Sequence, residues 1–97
     1  MTLAVRWRDH FIGEAVLYHF DLKGGAQVGF RLHKRYHGHG LGARTLSLLM
    51  RCAQKIGLSR VMASVLKENV ASVKLLTKKM TLLSEDERTM YFASDVI

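Results

Sequence analysis

Three glycines at alternate positions, Gly38, Gly40 and Gly42, stand between a strand-like run and a strongly periodic one, and this junction constrains the fold more than any other feature. Before it, Ala26 to Leu32 alternates in the manner of a half-buried strand. After it, Leu41, Thr45, Leu48, Leu49, Cys52 and Ile56 fall on one face of a helix, with Ser47, Arg51 and Lys55 opposite. Gly57 supplies a C-terminal stop. A strand that passes through such a loop into a helix N-terminus presents successive backbone N–H groups to an anion. Glycine can take positive φ there and lets a phosphate approach the main chain closely. Tyr36-His37-Gly38-His39-Gly40-Leu41-Gly42 is thus a candidate phosphate cradle. Tight strand-to-helix turns also use glycine for steric reasons alone, so the surroundings of the loop must decide.

Around it the chain punctuates itself clearly. Leu3 to Trp7 and Phe11 to Phe20 are rich in β-branched and aromatic residues and flank Arg8-Asp9-His10, which predicts a hairpin. Gly24-Gly25 separates them from the third strand. Ser59 to Leu66 reads as a strand, and Asn69 caps a second helix with Val70, Val73, Leu76 and Met80 on one side. Thr81 to Leu83 and Arg88 to Ala93 flank the acidic turn Ser84-Glu85-Asp86-Glu87 and form a closing hairpin. No linker, repeat or proline divides the 97 residues, so one domain over 1–97 carries whatever function there is.

The charge agrees with an anionic ligand. The net charge is +7, and no carboxylate occurs between Asp21 and Glu68, a stretch that holds nine Lys and Arg residues. Such a field suits nucleic acid, an acidic membrane or a phosphorylated cofactor. A solvated basic face that merely keeps the chain soluble is the bland alternative. No apolar run approaches the roughly 20 residues that span a bilayer, and the N-terminus lacks the marks of a signal peptide, so a soluble cytoplasmic protein with no membrane role is expected. The loop is not a Walker A motif, since no Gly-Lys-Ser/Thr follows, and the acidic residue of a dinucleotide fingerprint is missing.

The residues resemble the GNAT superfamily of N-acetyltransferases. Its pyrophosphate loop, Gln/Arg-x-x-Gly-x-Gly/Ala, is matched by His37-Gly38-His39-Gly40-Leu41-Gly42, and its next helix by Glu68-Asn69-Val70-Ala71-Ser72-Val73-Lys74-Leu75. The likeness runs from about Phe11 to Ala93. It implies an α/β (α+β) fold: a mixed, mostly antiparallel sheet flanked by two helices, with the N-terminal strand and helices of the full fold missing. It also implies transfer of an acetyl group from acetyl-CoA, used as donor substrate, directly to a primary amine of a small molecule or protein.

Carried over residue by residue, the resemblance lets the backbone of Phe30, Arg31 and Leu32 pair with the pantetheine amides. The amides of His37, Gly38, His39, Gly40, Leu41 and Gly42 would hold the pyrophosphate. Asn69 and Ser72 would face the pantetheine arm near the thiol, and Lys34, Arg35, Arg44 and Lys78 stand ready for phosphates. Three departures stand out. His37 replaces Gln or Arg; Leu76 takes the place of a tyrosine that protonates the thiolate; Gln27 stands where a strand carboxylate often serves as base. Glu14 on the second strand is a candidate base acting through a water, against the plainer reading of an exposed strand carboxylate that is only solvated. Members without that tyrosine are also active, and a non-catalytic acyl-CoA-binding module is the other reading.

His33, His37 and His39 have a spacing open to a metal, but with no Cys or carboxylate nearby none is expected. Cys52 reads as a small core hydrophobe rather than a nucleophile. A basic nucleic-acid-binding domain is a further rival, weakened because the aromatics are not interleaved with the basic run in sequence. The chain starts almost directly in a strand, which fits the C-terminal part of a longer fold. An open sheet edge near Leu3 to Trp7 and uncovered apolar surface then predict a homodimer.

Overall fold

The computed structural model describes residues 1–38 and 40–96. In chain order it holds β1 (Thr2–Trp7), β2 (His10–Tyr18), β3 (Gly25–Leu32), a 3-10 turn (Lys34–Tyr36), α1 (Leu41–Lys55), β4 (Arg60–Leu66), α2 (Val70–Lys79), β5 (Thr81–Glu85) and β6 (Thr89–Asp95). Arg8 and Asp9, between β1 and β2, both have left-handed φ, 50° and 66°. Those are the backbone angles that a two-residue hairpin matching the twist of its strands demands, met here without the usual Asn-Gly.

The strands form one sheet in the order β1-β2-β3-β4-β6-β5. Every neighbouring pair is antiparallel except β3 with β4. Cross-strand partners Leu17 and Val28, Ala26 and Val61, and Ala63 and Phe92 put their side chains on one face. All six are buried with Leu46, Leu49 and Ala53 of α1 and Leu76 of α2. Both helices therefore lie on that face, giving a slab 19 Å thick, one sheet and one helical layer. This is the mixed, mostly antiparallel sheet with two helices that the sequence predicts.

The buried stripe of α1 differs from the sequence reading. Leu46 and Ala53 are fully buried, whereas Leu48 and Ile56 are 54% and 52% exposed. Successive residues on a helix point about 100° apart, so a chain with Leu46, Leu48 and Leu49 carries two overlapping apolar stripes. The angle at which α1 crosses the sheet selects one of them. Cys52 is half-buried at the rim of the core. The helix ends as expected: Leu58 N–H donates to Ala53 and Gly57 N–H to Gln54, with Gly57 at φ 91°. On α2, Leu76 and Met80 are buried, Leu75 packs against the core, and Val70 faces solvent.

Candidate functional site

β3 and β4 pair only from Gly25–Gln27 to Arg60–Met62. Past that point β3 stays bound to β2 out to Leu32, and β4 to β6 out to Leu66, so the two inner edges part. The parting opens adjoining cavities of about 360 and 350 Å³ that share Phe30, Asn69, Ser72 and Leu75. The inner one has an apolar floor of Val28, Leu46, Ala63 and Leu76.

The hydrogen-bond pattern fixes which main-chain groups face the opening. His33 N–H donates to Ile12 on β2 at 2.8 Å. Alternation along the strand turns the N–H and C=O of Arg31 toward β2 as well, and those of Phe30 and Leu32 into the opening. Of the three residues expected to pair with a ligand, only Phe30 and Leu32 therefore offer main-chain groups; Arg31 lines the cavity but spends its own on Glu14. On β4, Lys67 bonds to Arg88 and Val96 to Ser59, so Ser64 turns its main chain into the opening.

The glycine loop forms the mouth. Gly38 and Gly40 have φ of 80° and 73°, and nothing lies within 4 Å of where a Cβ would stand on either. Gly40 is the N-cap of α1 with no side-chain cap, and the first turn of α1 contains no acidic residue. The first N–H groups of a 15-residue helix are thus left for solvent or an anion. His37, Gly38 and Gly42 line the outer cavity together with Asn69 and Ser72. Leu41 is buried behind the loop, and His39 lies outside the described residues. Asn69 Oδ1 accepts from Ser72 N–H at 3.3 Å, capping α2 and leaving the amide nitrogen of Asn69 free to donate toward the cavity.

Two features escaped the sequence reading. Glu14 is exposed on β2 and lines neither cavity, whereas Glu68 lines the inner one. Its position next to Asn69 was the available signal. Second, Trp7 meets Tyr36 edge to face at 6.3 Å, with Arg8 over Trp7 at 4.5 Å and Arg35 over Tyr36 at 5.5 Å. The hairpin turn thereby braces the entry to the loop and interleaves in space aromatics and cations that are apart in sequence. Among the described residues the single ion pair joins Lys67 to Glu85 at 2.8 Å, so the cations beside the loop have no carboxylate partner. No group of three or more His, Cys, Asp or Glu side chains converges among the described residues.

A glycine loop feeding a helix N-terminus beside two splayed parallel strands is distinctive, and residues 1–79 match the family model of the acetyltransferase (GNAT) domain. The chain belongs to the GNAT acetyltransferase family. No curated protein matches this GNAT domain by sequence. Among solved structures it is similar to a putative acetyltransferase from Salmonella typhimurium with its cofactor acetyl-CoA (17% identity, TM-score 0.84), covering 99% of this chain and 64% of that one. It is similar also to the ribosomal L7/L12 alpha-N-protein acetyltransferase RimL in complex with coenzyme A (16% identity, TM-score 0.86, 97% and 60% covered). A GNAT-family acetyltransferase from Streptococcus pneumoniae is a third (20% identity, TM-score 0.82, 97% and 65% covered). At these identities the likeness establishes the fold of the GNAT domain, which spans less than two thirds of the length of these chains. No helix of the described residues is long and apolar enough to cross a membrane.

Proposed function

We propose that this GNAT domain binds acetyl-CoA in the opening between β3 and β4 and takes part in transfer of its acetyl group to a primary amine. The observation that carries the reading is the coincidence of three things at one cavity: unpaired strand edges, a glycine loop, and an uncapped helix N-terminus. The pyrophosphate would rest on the amides of the loop from His37 to Gly42, His39 included. The pantetheine would pair along Phe30 and Leu32, and its thiol end would reach Asn69 and Ser72 over the apolar floor. The amine would attack the thioester carbonyl directly in a ternary complex, giving up a proton to a base as the CoA thiolate leaves. Cys52, half-buried on the core side of α1, has no part in that route.

Gly40→Asp tests the site, because it places a carboxylate where the phosphates would lie. Calorimetry with acetyl-CoA should show binding to the parent and loss of at least about tenfold in the variant, in line with an unfavourable charge at an anion site. A folded variant that binds as the parent does would remove the assignment. The non-catalytic reading draws on Leu76 and on Gln27, neither of which can move a proton. Release of free thiol in the presence of an amine panel separates enzyme from sensor. Assembly as a homodimer and a cytoplasmic location complete the proposal.

A further inference from the structure

His37 lines the outer cavity, yet its ring reaches back to the strand: Nε2 lies 2.9 Å from the carbonyl oxygen of Leu32. A carbonyl oxygen can only accept, so Nε2 carries the proton and, in the neutral ring, Nδ1 does not. The contact closes a short turn in which Tyr36 N–H donates to His33 at 2.9 Å and His37 N–H to Lys34 at 3.1 Å. On the far side of the loop Arg44 N–H donates to Gly40 at 3.3 Å. Nothing lies within 4 Å of where a Cβ would stand on Gly38 or Gly40. Among the described residues, His37 is the one side chain of the loop that donates a hydrogen bond to another element. It grips a particular atom, since Leu32 holds the last carbonyl of β3 that faces the opening. With His37 donating to that oxygen, a ligand running along β3 must share it, and past Leu32 the main chain turns away from the strand direction.

We propose that His37 is a positioning residue, a clamp that fixes the direction of the loop amides and sets the point at which a ligand extended along β3 must turn toward the loop. The inference rests on the acyl-CoA reading above and adds to it a role that acts through Leu32 rather than through contact with phosphate.

The test uses the whole chain and its variants His37→Gln, His37→Ala and Gly40→Asp. Long-range proton–nitrogen correlation spectra of the imidazole should show the Nε2-protonated tautomer in the ligand-free protein. Calorimetry with acetyl-CoA should show His37→Ala weakened about two- to tenfold, the effect of one lost hydrogen bond, and His37→Gln restored toward the parent because its amide can donate to the same carbonyl. Thermal midpoints measured in parallel separate a positioning role from a stabilising one. A Nδ1-protonated ring, parent-like binding by the alanine variant, or a glutamine variant as weak as alanine would each overturn the clamp. If instead the parent does not bind, or Gly40→Asp binds like the parent, the acyl-CoA reading fails and takes the ligand-positioning role with it. The tautomer spectrum still shows whether the contact itself exists.

Discussion

Asp21 and Asp86 each hold a turn together by accepting main-chain hydrogen bonds. Asp21 Oδ1 accepts from Gly25 and Lys23, both at 2.8 Å. Asp86 Oδ1 accepts from Thr89 at 2.8 Å and Arg88 at 3.0 Å, while Tyr91 Oη donates to Oδ2 at 3.1 Å. These bonds, from Gly25 and from Thr89 first, hold both carboxyls below their ordinary 3.8. A carboxyl depressed in the folded state adds stability that is present above its unfolded value and lost as pH falls through the folded one. Thermal unfolding followed down through that range should show a falling midpoint, and Asp21→Asn with Asp86→Asn should flatten the fall. On the alkaline side, the bond to Asp86 raises the Tyr91 phenol above 10.0, so its contribution is present below that value and fades as pH climbs past it. The two candidate carboxylates for the proposed transfer separate as well. Glu68 lines the inner cavity and Glu14 does not. In an active form Glu68→Gln should lower turnover about tenfold or more with little change in the KM for acetyl-CoA, the signature of a group that takes a proton, whereas Glu14→Gln should stay within about twofold. The reverse order would assign the base to Glu14.

At the scale of elements, the opening depends on β3 being held by β2, and Gly13 is one point where the two backbones leave no room for a side chain. A Cβ on Gly13 would sit 2.0 Å from the carbonyl oxygen of Arg31 and 2.9 Å from Cα of Leu32. Both obstacles are backbone and cannot swing aside. Gly13→Ala should therefore lose about 2 kcal/mol or more, by analogy with overpacked cores, and weaken ligand binding as well, because Leu32, one of the two displaced residues, turns its main chain into the opening. Denaturant unfolding and calorimetry on the same sample check both effects; an unperturbed variant would mean that β2 and β3 can slide apart freely. Gly42 offers a contrast. Its Cβ would meet Leu75 at 3.5 Å and Phe30 at 3.6 Å, ordinary contact distances, so Gly42→Ala should fold normally and act only by narrowing the mouth.

The whole molecule is a sheet covered on one face. β1 and β5 are its edges, and the face away from the helices carries half-buried Val16, Tyr18 and Met62. Val16 and Tyr18 flank Gly29 there, lying within 3.7 Å of where its Cβ would be. Open strand edges and a partly apolar face favour association. Light scattering behind a sizing column should report a dimer at about 100 μM, and a clean monomer at that concentration would show that the net charge of +7 keeps copies apart. Raising the salt concentration separates the two cases, since screening strengthens association only where repulsion opposed it.

Much of this was legible in the chain because it is local. The strand and helix segments, the Asn69 cap, the Gly57 stop and the positive φ of Gly38 and Gly40 each depend on residues within a few positions of one another, and they stand where the sequence puts them. The order of elements, with α1 carrying the chain from β3 back to β4, then suits the parallel β3–β4 contact. What the tertiary structure alone decided depends on long-range contacts that periodicity does not encode. The crossing of α1 buries Leu46 and leaves Leu48 in water; the grip of the outer strands parts β3 from β4; and the strand register aims Phe30 and Leu32 at the opening while turning Arg31 away. The same packing brings Glu68 to the cavity, leaves Glu14 outside it, and sets the Trp7 hairpin against Tyr36. In each case the side chain's identity was plain from the sequence, but its neighbours were fixed only when distant segments docked.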